Sequence, residues 1–249
     1  MSQLAAFEAI VSRCTETSQA FAGIKAPSSA HYYASLLFTS LCTRSITLLC
    51  LAPHSSWSRK RVENWDFASA AGITRSLLEV RLAFFYLCIE KVDALEWDCR
   101  WNTLNLSDCT SRIRLFESMP DTEEVLTGFA EQQNELRQRL THNGFFQNLD
   151  AGLKKRILNG QVAYLHSLEE VASRAGIEVN EFRLIYKLFS SQVHGLPLSF
   201  YRMAEQNRGR GIHSESEEGY TVLAMDMATQ ILEAARAEMH ALFDENIAS

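Results

Sequence analysis

The sequence predicts an all-α fold, and three observations support this prediction. Only 11 glycines and 4 prolines occur in 249 residues, too few for the frequent turns of a β-sandwich or barrel. Hydrophobic residues recur with a helical period from end to end, and no segment alternates convincingly with a period of two. A hydrophobic fraction of 47% with 22% charged residues excludes a disordered chain. We predict a single domain over residues 1–249 with about eight to ten helices.

Two strongly apolar segments, residues 30–52 and 67–92, are predicted to be the central helices. A first helix over residues 3–21 precedes them and is stopped by Gly23 and Pro27. Pro53 ends the second helix, and Asp66 begins the third. The third segment is apolar almost all round, which is typical of a helix packed on several sides.

The later helices are shorter and more amphipathic. We expect them at residues 93–104, from 107 to just before Pro120, and at 121–143, 151–159, 167–175, 178–193 and 220–243. Two polar segments are predicted to be loops. Residues 54–65 form a basic loop that contains Arg59, Lys60 and Arg61, and residues 205–219 form a mobile surface loop.

Cysteine spacing and the N-terminal residues predict a cytoplasmic protein. None of the six cysteines forms a C-x-x-C pair, so we expect no metal site, and no motif predicts a cofactor. The chain begins without the basic region of a signal peptide. Residues 30–52 are long enough to cross a bilayer, but Arg44 lies well inside them, and we interpret them as a core helix with no membrane contact. The net charge of −6 gives no support to non-specific nucleic-acid binding.

Two short patterns contain the candidate site residues. Arg75 and Glu79 are four residues apart and therefore share a face of the central helix, on a stripe of small and apolar residues that suggests they face other helices. Ser190 and His194 are four residues apart and share a face of a later helix, with Tyr186 on or near that face, and His194 is the last residue before Gly195. A buried structural ion pair and a helix-capping histidine are the alternative interpretations.

The R-S-L-L-E segment, followed about a hundred residues later by Y-x-x-x-S-x-x-x-H-G, resembles a family of bacterial all-α proteins of unknown function. The resemblance spans roughly residues 30–200 and rests on seven positions: Arg75, Ser76, Glu79, Tyr186, Ser190, His194 and Gly195. It implies that Arg75, Glu79 and His194 form one site in space. It implies no reaction, because none is assigned to the family.

A weaker resemblance points to HEPN-type ribonucleases, which carry an arginine followed after four to six residues by a histidine. Arg137 and His142 have this spacing at a helix end, as do Arg208 and His213 in the polar loop. With so many arginines, about one or two such pairs are expected by chance. A helix-turn-helix over residues 167–182 is also disfavoured, because Glu178 and Glu181 would repel DNA.

Two classes of function therefore stay open, and the sequence does not decide whether the protein is an enzyme. In the first, a pocket of Arg75, Glu79, Tyr186, Ser190 and His194 recognises a phosphate ester or cleaves RNA without a metal. Arg75 would hold the anion, His194 would act as acid or base, and Glu79 would orient a partner. In the second, the chain is a non-enzymatic interaction protein of a bacterial stress or phage-defence system. A homodimer is left open in both.

Overall fold

The computed structural model describes residues 2–194, residue 197 and residues 209–247, and this part of the chain is all-α. The all-α prediction is thus confirmed. Its ten helices are α1 (Ser2–Ala20), α2 (Ser29–Leu51), α3 (Phe67–Phe84), α4 (Ala94–Phe116), α5 (Glu123–His142), α6 (Gly144–Gln147), α7 (Ala151–Leu158), α8 (Leu168–Arg174), α9 (Val179–Val193) and α10 (Glu215–Ile247). Among the described residues, β pairing is limited to one antiparallel bridge between Trp65 and Gly211.

The chain divides into two compact helical units. The larger unit comprises residues 1–89 and 172–249, and the smaller unit comprises residues 90–171. Each has its own buried apolar residues, so each is described by itself. The single domain expected from the sequence stays a prediction.

Helix α3 is the centre of the larger unit. It packs against α2, α9 and α10, while α1 packs against α2 and α10. Asp66 caps α3, accepting a hydrogen bond of 3.0 Å from the backbone N–H of Ser69. Leu77 and Leu82 are fully buried on α3, as is Phe38 of α2. Helices α2 and α3 are therefore central helices of this unit, as the apolar segments predicted.

The smaller unit is built on α4, which packs against α5, α6 and α7. Asp93 caps α4 through a 2.8 Å hydrogen bond from the backbone N–H of Glu96. Its apolar core comprises Cys99, Leu106, Cys109, Leu136, Leu140, Phe146, Ile157 and Leu165. Helix α5 presents only Leu136 and Leu140 as buried residues, in keeping with its amphipathic pattern.

Three helix boundaries differ from the sequence-based prediction. The α-helical part of the third helix ends at Phe84, and a π-helical turn over Phe85–Ile89 follows it. Residues 93–104 and the helix expected from Ser107 form one helix, α4, because no glycine or proline interrupts them. Helix α10 begins at Glu215, inside the segment predicted to be a loop, because Ser214 Oγ accepts a 3.2 Å hydrogen bond from the backbone N–H of Glu217.

The basic loop is irregular, as predicted, and one of its cations stabilises a helix end. Lys60 Nζ donates a 3.0 Å hydrogen bond to the carbonyl oxygen of Leu51 and a second one to the carbonyl oxygen of Ala52. These carbonyls end α2, where a cation is favoured. Of the polar loop expected at 205–219, residues 205–208 lie outside the described residues.

Helix α2 meets the length and hydropathy expected of a membrane span. Its buried residues include His31, Phe38, Leu41 and Leu48, and the helix packs against α1, α3 and α10. Such packing is also typical of the core helix of a folded unit. The predicted lack of membrane contact stays a prediction.

Candidate functional site

Arg75, Glu79 and Tyr186 meet between α3 and α9. The spacing of four residues stacks Arg75 and Glu79 on one face of α3, and Arg75 Nη2 lies 3.1 Å from Glu79 Oε1. The same nitrogen donates a 3.1 Å hydrogen bond to the hydroxyl of Tyr186 on α9. That hydroxyl in turn donates a 2.9 Å hydrogen bond to Glu79 Oε1. We call these three residues the α3–α9 polar cluster.

The cluster is partly open to solvent. The side chain of Arg75 is 18% exposed and that of Glu79 is 42% exposed. Burial lowers the pKa of Arg75, but the hydrogen bond to Tyr186 and the charge of Glu79 outweigh it, so the pKa is raised overall. Both charged groups thus contact Tyr186 of α9, and water also reaches the Glu79 side chain.

Arg75 is held through one nitrogen and keeps other donors unused. Its guanidinium lies over the ring of Tyr186, with Cζ 4.9 Å from the ring centroid. Its Nε is buried and has no hydrogen-bond partner among the described residues. A guanidinium carries five N–H donors, so the contacts of Nη2 with Glu79 and Tyr186 leave donors available for another acceptor.

Ser190 and His194 lie beyond Tyr186 on α9. Ser190 Oγ donates a 2.5 Å hydrogen bond to the carbonyl oxygen of Tyr186, inside its own helix. His194 is the residue that ends α9, and its backbone N–H donates to the carbonyl oxygen of Ser190 at 3.2 Å. Its side chain is exposed and forms no hydrogen bond with the described part of the chain. Gly195 lies outside the described residues.

The structure thus joins three of the five predicted site residues by side-chain contacts. Eight residues of helix place His194 about 12 Å along α9 from Tyr186. The convergence of Arg75, Glu79 and His194 into one site stays a prediction.

Arg137 and His142, the HEPN-like pair, have local partners in the smaller unit. Arg137 Nε donates a 3.0 Å hydrogen bond to the carbonyl oxygen of Leu158, at the end of α7. His142 Nδ1 lies 2.7 Å from the carbonyl oxygen of Gln138 in the same helix. Arg208 lies outside the described residues, and His213 Nε2 lies 2.9 Å from Glu218 Oε2.

Two further arginines with notable contacts were not among the predicted site residues. Arg44 Nε donates a 2.8 Å hydrogen bond to Ser76 Oγ, which places this α2 residue beside the R-S-L-L-E segment. Arg81 is buried on α3 with only 2% of its surface exposed, and its Nη2 pairs with Glu238 Oε1 of α10. A charged residue inside an apolar helix is the sequence signal that could have identified both.

No group of three or more His, Cys, Asp or Glu side chains within the described ranges could hold a metal ion. The sequence likewise predicted no metal and no cofactor, and that remains a prediction. The side chains of the α3–α9 polar cluster can bind an anion through a guanidinium and transfer a proton through a carboxylate or a phenol.

The fold and the cluster together define a helical protein with a polar site between two helices of its larger unit. The chain belongs to a family of unknown function, DUF5677, which matches residues 31–211. The match includes every residue of the α3–α9 polar cluster, together with Ser190 and His194, so the family resemblance seen in the sequence is confirmed. The HEPN-type resemblance is not shown. No curated protein and no solved structure matches the chain.

Proposed function

We propose that this chain is a cytoplasmic protein that binds a phosphate ester at the α3–α9 polar cluster, with RNA as the class of substrate. Arg75 holds the phosphate, and Glu79 and Tyr186 hold Arg75 in position. His194 acts as the general acid or base of a cleavage that needs no metal ion.

The unused donors of Arg75 are the observation that carries this proposal. A guanidinium whose donors were all taken by Glu79 and Tyr186 would be a structural clamp and nothing more. Here both contacts use Nη2, so Nη1 has no hydrogen bond to the described residues, and the side chain keeps 18% of its surface exposed. Arginine is the side chain best suited to phosphate oxygens, because it stays charged and offers several donors in one plane.

Spacing along α9 favours a polynucleotide over a single phosphate ion. His194 lies about 12 Å along the helix from Tyr186, a separation that suits a ligand longer than one inorganic phosphate. An RNA strand can place one phosphate at Arg75 and the reacting ribose near His194. His194 would then accept the proton of the 2′-hydroxyl while its oxygen attacks phosphorus and forms the P–O2′ bond. The P–O5′ bond breaks as the 2′,3′-cyclic phosphate forms, and the departing 5′-oxygen takes a proton from water.

The test measures binding and cleavage of a fluorescent single-stranded RNA by the full chain and its variants. We expect His194→Ala to bind RNA but to lose about 10²–10⁴-fold in cleavage rate, the usual contribution of an acid–base residue. We expect Arg75→Gln to weaken binding. His142→Ala is the matched control, because it changes an exposed helix-end histidine of the smaller unit, and it should leave both unchanged.

Two outcomes would contradict the proposal. If His142→Ala and Arg137→Ala abolish cleavage while His194→Ala is silent, the HEPN-type ribonuclease gains support. If the folded chain neither binds nor cleaves RNA, the non-enzymatic interaction protein is the better account. The hydrogen bonds that join α3 to α9 favour that second candidate, because they would stabilise a helical surface without any reaction.

A further inference from the structure

A cavity lies in the larger unit, apart from the α3–α9 polar cluster. It has a volume of about 300 Å³ and lies between α3, the turn at residues 175–177 and α10. Apolar side chains of Leu78, Ile177, Met227 and Ile231 line much of it. A cavity of this size with mostly apolar walls is typical of a site for a small organic molecule.

Arg81 lines this cavity and carries an unsatisfied donor. The side chain is only 3% exposed, yet Nη1 has no hydrogen-bond partner among the described residues. Nη2 pairs with Glu238 Oε1, and the other oxygen of that carboxylate, Oε2, is also unpartnered. Buried polar atoms are normally satisfied, so an unpaired guanidinium nitrogen at a cavity indicates a missing acceptor.

Two carboxylates lie at the start of α9, also on the cavity wall. Glu178 caps the helix by accepting a 2.8 Å hydrogen bond from the backbone N–H of Glu181, whose side chain lines the same cavity. The backbone N–H groups of Asn180 and Glu181 lower the pKa of Glu178, which keeps it ionised at neutral pH. Among the described residues that line the cavity, the charged ones are Arg81, which Glu238 already balances, and the carboxylates Glu178 and Glu181. Arg183 also acts on Glu178 and lowers its pKa, and the two carboxylates are the lining groups that can meet a cation.

We propose that this cavity binds a small organic amine with an apolar body and a neutral carbonyl group. The ammonium would lie between Glu178 and Glu181, the apolar body would contact Met227 and Ile231, and the carbonyl oxygen would accept a hydrogen bond from Arg81 Nη1. A neutral acceptor suits Arg81 better than a second carboxylate, because Glu238 already occupies Nη2. This site shares no residue with the polar cluster and does not depend on the proposed RNA activity.

Three probes separate the contributions of the ligand groups. Leucinamide has the ammonium, the aliphatic body and the amide carbonyl; N-acetylleucinamide lacks the ammonium, and isoamylamine lacks the carbonyl. Binding is measured from the ¹³C-methyl NMR signal of Met227 in methionine-labelled full-length protein, assigned with Met227→Leu. We expect leucinamide to shift this signal saturably at millimolar concentration and both analogues to bind about tenfold more weakly.

A variant in which both carboxylates of the cavity wall are replaced by amides tests their contribution to ligand binding. Glu178→Gln/Glu181→Gln keeps a capping oxygen at position 178, and we expect it to bind leucinamide about tenfold more weakly while its circular dichroism is unchanged. Glu123→Gln/Glu124→Gln is the matched control, because it makes the same change in the first turn of α5, and its affinity should equal that of wild type.

The proposal is overturned if leucinamide fails to shift the Met227 signal. It is also overturned if leucinamide and N-acetylleucinamide bind equally, or if the wall variant and the control variant lose affinity equally. In each case the cavity would be a packing defect or a general apolar site. None of these results bears on RNA binding, so failure here is distinguishable from failure of the proposed function.

Discussion

The hydroxyl of Tyr186 donates a hydrogen bond of 2.9 Å to Glu79 Oε1, across 107 residues of sequence. Arg75 Nη2 lies 3.1 Å from both of these oxygens and closes a triangle of polar contacts. Because α3 contributes two members and α9 contributes one, the triangle joins these helices at a place that water still reaches. The triangle can therefore stabilise the larger unit and still present Arg75 to a ligand.

The first prediction concerns the coupling between Tyr186 and Glu79. Full burial of the Arg75–Glu79 pair would make removal of one partner cost about 3–5 kcal/mol. Since 42% of the Glu79 side chain is exposed, we expect Glu79→Ala and Tyr186→Phe each to lower the free energy of unfolding by only about 0.5–1.5 kcal/mol. Urea unfolding of both single variants and the double variant measures the coupling. The double variant should lose less than the sum, and strictly additive losses would show that the two residues do not interact.

The second prediction is that the buried pair Arg81–Glu238 contributes more to the free energy of unfolding than the α3–α9 polar cluster does. Arg81→Met leaves the Glu238 carboxylate without its cation, and we expect a loss of about 3–5 kcal/mol, since Arg81 is almost fully buried. Arg81→Met/Glu238→Leu should recover much of this loss because no uncompensated charge remains. A double variant as unstable as Arg81→Met would show that the pair is not the cause.

The same pair predicts a pH dependence with a definite sign. Burial raises the pKa of Glu238, and the charge of Arg81 opposes this effect. A raised pKa means that the folded state binds the proton more tightly than the unfolded state. This contribution to stability is present below the ordinary carboxyl pKa and is lost as the pH rises through the folded value. The loss in free energy of unfolding caused by Arg81→Met should therefore become smaller as the pH is lowered through that range. Urea titrations of the variant and the wild type at several pH values measure this change.

Sequence periodicity predicted the contacts that are local along a helix. The spacing of four placed Arg75 on Glu79, and the same spacing placed Ser190 one turn beyond Tyr186. The periodicity does not indicate that Glu238 is the partner of Arg81, because 157 residues separate them and only the packing of α3 against α10 brings them together. The π-helical turn after Phe84 was missed for a related reason, since an apolar run has the same pattern whether its hydrogen bonds are α-helical or π-helical.

The third prediction concerns thiol reactivity. Five of the six cysteines are buried, and Cys50 is partly exposed. Burial raises the pKa of Cys14 and Cys88 to about 12 and that of Cys42 and Cys99 to about 11. Because the thiolate is the reactive form, a disulfide reagent at neutral pH should modify one thiol rapidly in the native protein. Cys50→Ser should remove that fast phase, whereas a fast phase that persists would contradict the burial of the other five.

Those raised thiol pKa values also predict a loss of stability in alkali. The folded state keeps thiol protons that the unfolded state releases near its ordinary pKa of 9.0. Each buried thiol therefore contributes stability that falls as the pH rises from about 9 toward its folded value. Urea midpoints measured in reducing buffer should decrease over this interval, and Cys88→Ala should make the decrease shallower. An equal slope in that variant would assign the effect to other groups.

The fourth prediction separates backbone strain from a steric clash at Gly160. This residue has φ of +62°, and a Cβ atom there would overlap the side chain of Thr110. Gly23 is the matched control, since its φ is +80° but a Cβ atom there would meet nothing within 4 Å.

We expect Gly23→Ala to cost about 1–2 kcal/mol from the left-handed conformation alone. Gly160→Ala should cost more, because Thr110 is fixed by a 2.7 Å hydrogen bond to the carbonyl oxygen of Leu106. In a Thr110→Gly background, where all three overlapping side-chain atoms are removed and the strain remains, the cost of Gly160→Ala should fall to that of Gly23→Ala. Thermal and urea unfolding of these variants give the comparison, and an unchanged cost of Gly160→Ala in the two backgrounds would show that Thr110 is not the obstacle.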